Sequence, residues 1–234
     1  MYSDYYRQFY PTLKNNFVTQ ATKSGVALSL ILFSNSLFAI EARVLIQNEQ
    51  QAPMENVVVV IEPQGIDLLA SDGKFAQVDQ VNREFVPHVQ LVQTNTEVSF
   101  PNFDDIRHHV YSFSEAKRFE LPLYKGTPSE PVLFDQSGIV TLACNIHDHM
   151  LGYLYVTDSP WHALTDASGL VSINLPEAEQ YIVRAWYPGL GADNLGYEEL
   201  VSVDQLGRVS INLEQQAAAV SGNRRQLRRN IRYP

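Results

Sequence analysis

The sequence predicts an all-β protein: a Greek-key β-sandwich at residues 40–157, then a small second β-sandwich at 158–215. Three observations carry this. After residue 40 no stretch repeats apolar residues at helical spacing. Short runs rich in β-branched and aromatic residues recur instead, which suits half-buried pleated strands. Clusters of Pro, Gly, Asn and Asp separate those runs, as turns require. A hydrophobic share of 45% with 11% aromatics can fill both cores, and it excludes a largely disordered chain.

The elements follow in chain order. Residues 1–39 read as an export signal: Lys23 precedes the eight-residue apolar run Val26–Phe33, and Leu37-Phe38-Ala39 ends on a small residue. A run this short is not a membrane-spanning helix, which needs about 20 apolar residues. The expectation is a periplasmic protein with no transmembrane anchor in its mature chain. Arg43–Ile46, Asn56–Glu62, Val89–Gln93, Glu97–Phe100, His109–Phe113, Ile139–Cys144 and Leu151–Val156 read as strands of the first sandwich. Asp158-Ser159-Pro160 reads as the linker. Thr165–Gly169 then supplies turn chemistry ahead of the strands Leu170–Leu175, Tyr181–Tyr187, Leu200–Val203 and Val209–Leu213. The tail at 216–234 is polar and basic. It reads as disordered, with a surface suited to a membrane or an acidic partner.

Charge narrows the function. The chain holds 17 basic and 26 acidic residues, a net charge of −9. Five arginines (Arg224, Arg225, Arg228, Arg229 and Arg232) sit in the last eleven residues, so the body is more acidic still. Such a body argues against nucleic acid as a partner, because phosphates need a basic surface. The single cysteine, Cys144, excludes an internal disulfide. A lone thiol in an oxidising compartment is buried, paired with another chain, or held by a metal.

Around that cysteine the sequence reads Cys144-Asn145-Ile146-His147-Asp148-His149-Met150, so a thiolate, an imidazole and a thioether lie within seven residues. Upstream stands Asn102-Phe103-Asp104-Asp105-Ile106-Arg107-His108-His109-Val110. Two imidazoles, a thiolate and a weak axial thioether are the ligands of a blue-copper electron-transfer site. Thiolate and thioether favour Cu(I), and imidazole accepts both oxidation states. One loop between two strands would supply three ligands, and His108 or His109 is available as the fourth. Zinc is disfavoured by the thioether.

These motifs resemble the cupredoxins. Cys144-x-x-His147-x-x-Met150 has the ligand-loop spacing of amicyanin, and Gly138-Ile-Val-Thr-Leu-Ala-Cys144 resembles the family's glycine-to-cysteine strand. His108-His109-Val110 is similar to the family's His-Asn-Val, which implies that His108 is the ligand and His109 stands at the Asn position. Phe85-Val86-Pro87 and Val98-Ser99-Phe100 also fit, so the resemblance covers roughly residues 75–157. It implies one type 1 copper ion held by His108, Cys144, His147 and Met150. Within the family the chain resembles periplasmic cupredoxins known as methylamine utilization proteins. The segment from Asp166 to Pro188 is similar to a carboxypeptidase regulatory-like or transthyretin-like sandwich.

Other readings weigh less. His88 and His162 lack ligand-like neighbours, and His149 reads as a surface residue beside the loop. The acid pairs Asp104-Asp105 and Glu198-Glu199 are adjacent, so in a strand their members would face opposite ways and make no acid/base dyad. No nucleophile triad, phosphate loop or dinucleotide fingerprint is present. A metal with four protein ligands has no open position for substrate. The expectation is therefore an electron carrier, not an enzyme, whose partners are periplasmic redox donors and acceptors. The alternative is a non-redox module that sequesters copper or acts as a periplasmic scaffold.

Overall fold

The computed structural model describes residues 39–68, 73–128, 130–194 and 196–213. The expected export signal, save its last residue, and the expected basic tail lie outside them. Among the described residues the chain is all β apart from short 3-10 turns. No helix there is long and apolar enough to cross a membrane.

The first sandwich is continuous in sequence. Its larger sheet runs β6 (Val89–Gln93), β12 (His147–Thr157), β11 (Gly138–Cys144), β8 (His108–Phe113), β9 (Arg118–Tyr124). The facing sheet is β10 (Val132–Phe134), β7 (Thr96–Ser99), β3 (Phe75–Gln77). A hairpin, β4 (Asp79–Val81) and β5 (Glu84–Val86), lies between them in sequence. Alternation builds the core: Val110, Val140, Leu142, Leu154 and Val156 meet Val98, Phe100 and Phe134 from the other layer. Strand β9 was not legible as one, because Pro122 interrupts its pattern. It is tolerated because β9 is the sheet edge and Pro122 falls where the β8–β9 register shifts, between the pairs Val110↔Leu121 and His108↔Tyr124.

The second sandwich is assembled from both sides of the first. One sheet is β14 (Leu170–Leu175), β1 (Ile40–Gln47), β17 (Val209–Asn212). The other is β13 (His162–Leu164), β2 (Val58–Pro63), β15 (Gln180–Trp186), β16 (Tyr197–Ser202). This corrects the expected boundaries of 40–157 and 158–215. Strand β1 pairs antiparallel with β14 from Ile40↔Leu175 to Leu45↔Leu170, and β2 pairs with β15 from Val58↔Trp186 to Pro63↔Tyr181. The physical reason is that periodicity shows which face of a strand is buried, not against which partner. Ala42, Val44 and Ile46 of β1 share a core with Val171, Tyr181, Val183 and Ile211. The expected turn at 165–169 is present. Asp166 Oδ1 accepts from the N–H groups of Ser168 and Leu170, and Gly169 has φ +73. A Cβ at Gly169 would meet the Ile46 carbonyl at 2.4 Å, so only glycine fits there.

The two sandwiches share a third apolar cluster. Val58 and Val60 of β2 and Trp186 of β15 pack against Val89, Ile139 and Tyr155. Trp186 is fully buried, donates Nε1–H to the Gly191 carbonyl at 3.2 Å, and lies 5.4 Å from the Tyr153 ring and 5.8 Å from the Tyr155 ring. Trp186→Ala should therefore cost about 3–5 kcal/mol of stability, measured by urea unfolding. A loss under about 1 kcal/mol would mean that this junction is not part of the cooperative core.

Candidate metal centre

The centre forms where β8 begins, β11 ends and β12 begins, which antiparallel pairing brings to one end of the sheet. Cys144 is the last residue of β11 and is buried. Its turn, Asn145-Ile146, leads directly to His147. The β11–β12 register jumps from Ala143↔Leu151 to Cys144↔His147. Asp148, His149 and Met150 are thus left without partners on β11, and Met150 turns into the core cluster that also holds Cys144. Such a bulge re-aims side chains, and here it separates the exposed His149 from the buried Met150. The Asn145 N–H donates to the His109 carbonyl at 3.1 Å, tying the turn to β8.

Cys144 Sγ lies 3.6 Å from His108 Nδ1 and 3.6 Å from His147 Nδ1. All three atoms fall within 4.8 Å of one another, the only such ligand group among the described residues. The two imidazole rings are 5.0 Å apart, with an interplanar angle of 60°. His108 is fully buried, whereas His147 is partly exposed. Desolvation is the largest cause that holds the His147 imidazole below its ordinary pKa, and its electrostatic interactions with the neighbouring His108, Arg83 and His149 act in the same direction. The neutral ring, with a lone pair to give, is favoured at that position.

The adjacent histidines have different fates. His108 points into the sandwich with Cys144. His109, next on the strand, faces outward, where its Nε2 pairs with Glu120 Oε1 at 2.9 Å and its ring lies 6.0 Å from Tyr111. Strand alternation decides this, since neighbouring side chains project to opposite faces. The structure thus brings His108, Cys144 and His147 together and buries Met150 in the same core cluster as Cys144.

Sequence reasoning missed the polar frame behind His108. The His108 Nε2 contacts Asp104 Oδ2 at 2.7 Å. Asp104 Oδ1 accepts the Asn82 N–H at 2.6 Å, and its Oδ2 accepts the Arg83 N–H at 2.9 Å. Burial works to raise the Asp104 pKa, but the bonds from His108, Arg83 and Asn82 outweigh it and hold the carboxyl below its usual value. Asn102 braces the same loop. It donates to the Ile106 and Tyr124 carbonyls and accepts the Asp104 N–H at 2.9 Å. Asn102-x-Asp104 was the available signal, because Asx side chains fold loops back on themselves. Burial also pushes the Tyr124 hydroxyl up to about 12. That hydroxyl donates to the Phe100 carbonyl at 2.5 Å, so it stays a neutral brace.

The donor set fits copper. Two nitrogens and one sulfur converge, and a thiolate with imidazoles is a borderline-to-soft set suited to both copper oxidation states.

No protein-family profile matches the chain, and no curated protein matches it. Solved structures do show partial similarity. A copper-containing nitrite reductase from Thermus scotoductus SA-01 is 23% identical over 41% of this chain and 25% of its own, with a TM-score of 0.34. This chain therefore spans about a quarter of that reductase. A purple cupredoxin from Nitrosopumilus maritimus is 20% identical over 35% of this chain and 99% of its own, with a TM-score of 0.32. A reduced amicyanin variant is 19% identical over 42% of this chain and 98% of its own, also with a TM-score of 0.32.

Proposed function

We propose that this protein holds one copper ion of the type 1 class through His108, Cys144 and His147, with Met150 as a weak axial donor, and carries single electrons between exported redox proteins. One observation supports this most: Nδ1, Sγ and Nδ1 from three separate strand positions converge within 4.8 Å. Bound copper supplies one-electron chemistry at nearly constant geometry. The protein's own contribution is rigidity and dryness. His108 and Cys144 are held by β8 and β11, whose pairing at Cys144↔Val110 fixes their spacing. Met150 and the apolar core close the inner side against water. His147 reaches the surface, where the exposed Ile146 lies among the exposed polar residues Asn145, Asp148 and His149. This end is proposed as the place where donor and acceptor dock. The second sandwich, similar to a carboxypeptidase regulatory-like domain in its turns and strands, serves as the mount. No catalytic turnover is assigned to either unit.

The deciding experiment is to load the purified protein with copper and record its visible spectrum. Carrier function predicts an intense thiolate-to-Cu(II) absorption that bleaches reversibly on reduction. A colourless, tightly held Cu(I) would instead establish sequestration. Met150→Leu should keep the colour and raise the reduction potential. A tenfold change in Cu(II)-over-Cu(I) preference corresponds to about 59 mV, readable by redox titration. An unchanged potential would remove Met150 from the ligand set.

A further inference from the structure

We infer that Asp104 is a positioning residue for His108, and that the tip of the β4–β5 hairpin holds it in place. The copper consequence rests on the proposed function above, whereas the orientation of the ring does not.

The argument starts from a buried imidazole. A neutral histidine carries one N–H, and burial makes an unmatched donor or acceptor costly. His108 is fully buried and presents Nε2 to Asp104 Oδ2 at 2.7 Å, so the proton belongs on Nε2 and donates to the carboxylate. Nδ1 is then bare, and it is the atom 3.6 Å from Cys144 Sγ. The carboxylate therefore selects the tautomer that leaves a lone pair aimed at the metal position. Outer-shell carboxylates act on ligating histidines in this way, raising ligand basicity as well as fixing the ring.

Asp104 is itself constrained. Asn82 and Arg83 both adopt left-handed conformations, with φ of 56° and 63°. Two successive residues of that hand make the tight hairpin joining β4 to β5. The turn aims their two N–H groups at the Asp104 carboxylate, at 2.6 Å and 2.9 Å. A third bond, from the Asp104 N–H to Asn102 Oδ1, fixes the backbone beneath it. Loop and hairpin, more than twenty residues apart, thus converge on one carboxylate whose remaining task is His108. A loop staple alone would need only the bonds to the hairpin. The contact with a buried candidate ligand makes it a relay from hairpin tip to imidazole.

The test has two readouts. In metal-free wild-type protein at a pH of about 8, where imidazole is ordinarily neutral, nitrogen NMR of the His108 ring should show Nε2 protonated and Nδ1 bare. In Asp104→Ala that preference should be lost, giving a mixture of tautomers. Protonation at Nδ1 in the wild type, or an unchanged tautomer in Asp104→Ala, would overturn the inference. Asp104→Asn keeps an acceptor of nearly the same shape and serves if the alanine variant fails to fold. Replacing the charged acceptor should weaken Cu(II) retention by about 10–100-fold. It should also raise the potential, by about 59 mV for each tenfold loss of Cu(II) over Cu(I). An unmoved potential in folded Asp104→Asn would reduce Asp104 to a loop staple. If wild-type protein takes up no copper, the proposed function falls, and the metal-free tautomer still decides this inference.

Discussion

Cys144→Ala should abolish the visible charge-transfer band and weaken copper binding by more than about 100-fold, since even outer-shell losses at metal sites cost 10–100-fold. The thiolate is the donor of that transition, and its sulfur lies 3.6 Å from each of two imidazole nitrogens. The fold should survive, because Cys144 sits at the end of β11, where its backbone pairing with His147 and Val110 does not need the sulfur. Far-ultraviolet circular dichroism reports the fold, and visible absorption with copper titration reports the site. Retention of the band in this variant would remove the thiolate, and with it the type 1 assignment.

The second large effect separates neighbours. His108→Ala should lose copper and also destabilise the metal-free protein by about 1–3 kcal/mol, because Asp104 loses its imidazole partner beneath the surface. His109→Ala should keep copper and change stability by less than about 1 kcal/mol. It gives up an outward pair with Glu120, whose side chain is 66% exposed, and an edge contact with the Tyr111 ring. Urea unfolding of the metal-free variants, followed by copper titration, reads both quantities. Copper loss in His109→Ala alone would shift the ligand by one residue and put the site on the opposite face of the sheet.

Much of this protein was legible because it is local. Alternation in Tyr181–Trp186 marks Tyr181, Val183 and Ala185 as one face, and those three residues are buried together. The turn at Asp166–Gly169 follows from side chains that bond their own backbone. Cys144, His147 and Met150 could be grouped from their spacing alone, since a single tight turn separates the first two. Unpaired Asp148 to Met150 could not be foreseen, because a bulge depends on how the partner strand continues.

What lies across the chain was decided only by packing. Strands β1 and β2 carry the same alternating signal as any strand of the first sandwich. Their partners are nonetheless β14, β15 and β17, more than a hundred residues later. A strand's own residues specify a buried face and an open ladder, and many strands can satisfy both. The choice between His108 and His109 was likewise open until β8 took its register, after which pleating sent one ring inward and the other to Glu120. Asp104 carries the same lesson. As one of two adjacent acids it reads as surface charge, and only the hairpin tip at Asn82-Arg83 and the buried ring of His108 turn it into a fixed acceptor. Residue types and short-range spacing determined which chemistry was possible. Long-range strand pairing determined which of those residues meet, because a contact between distant segments depends on the whole core that closes around them.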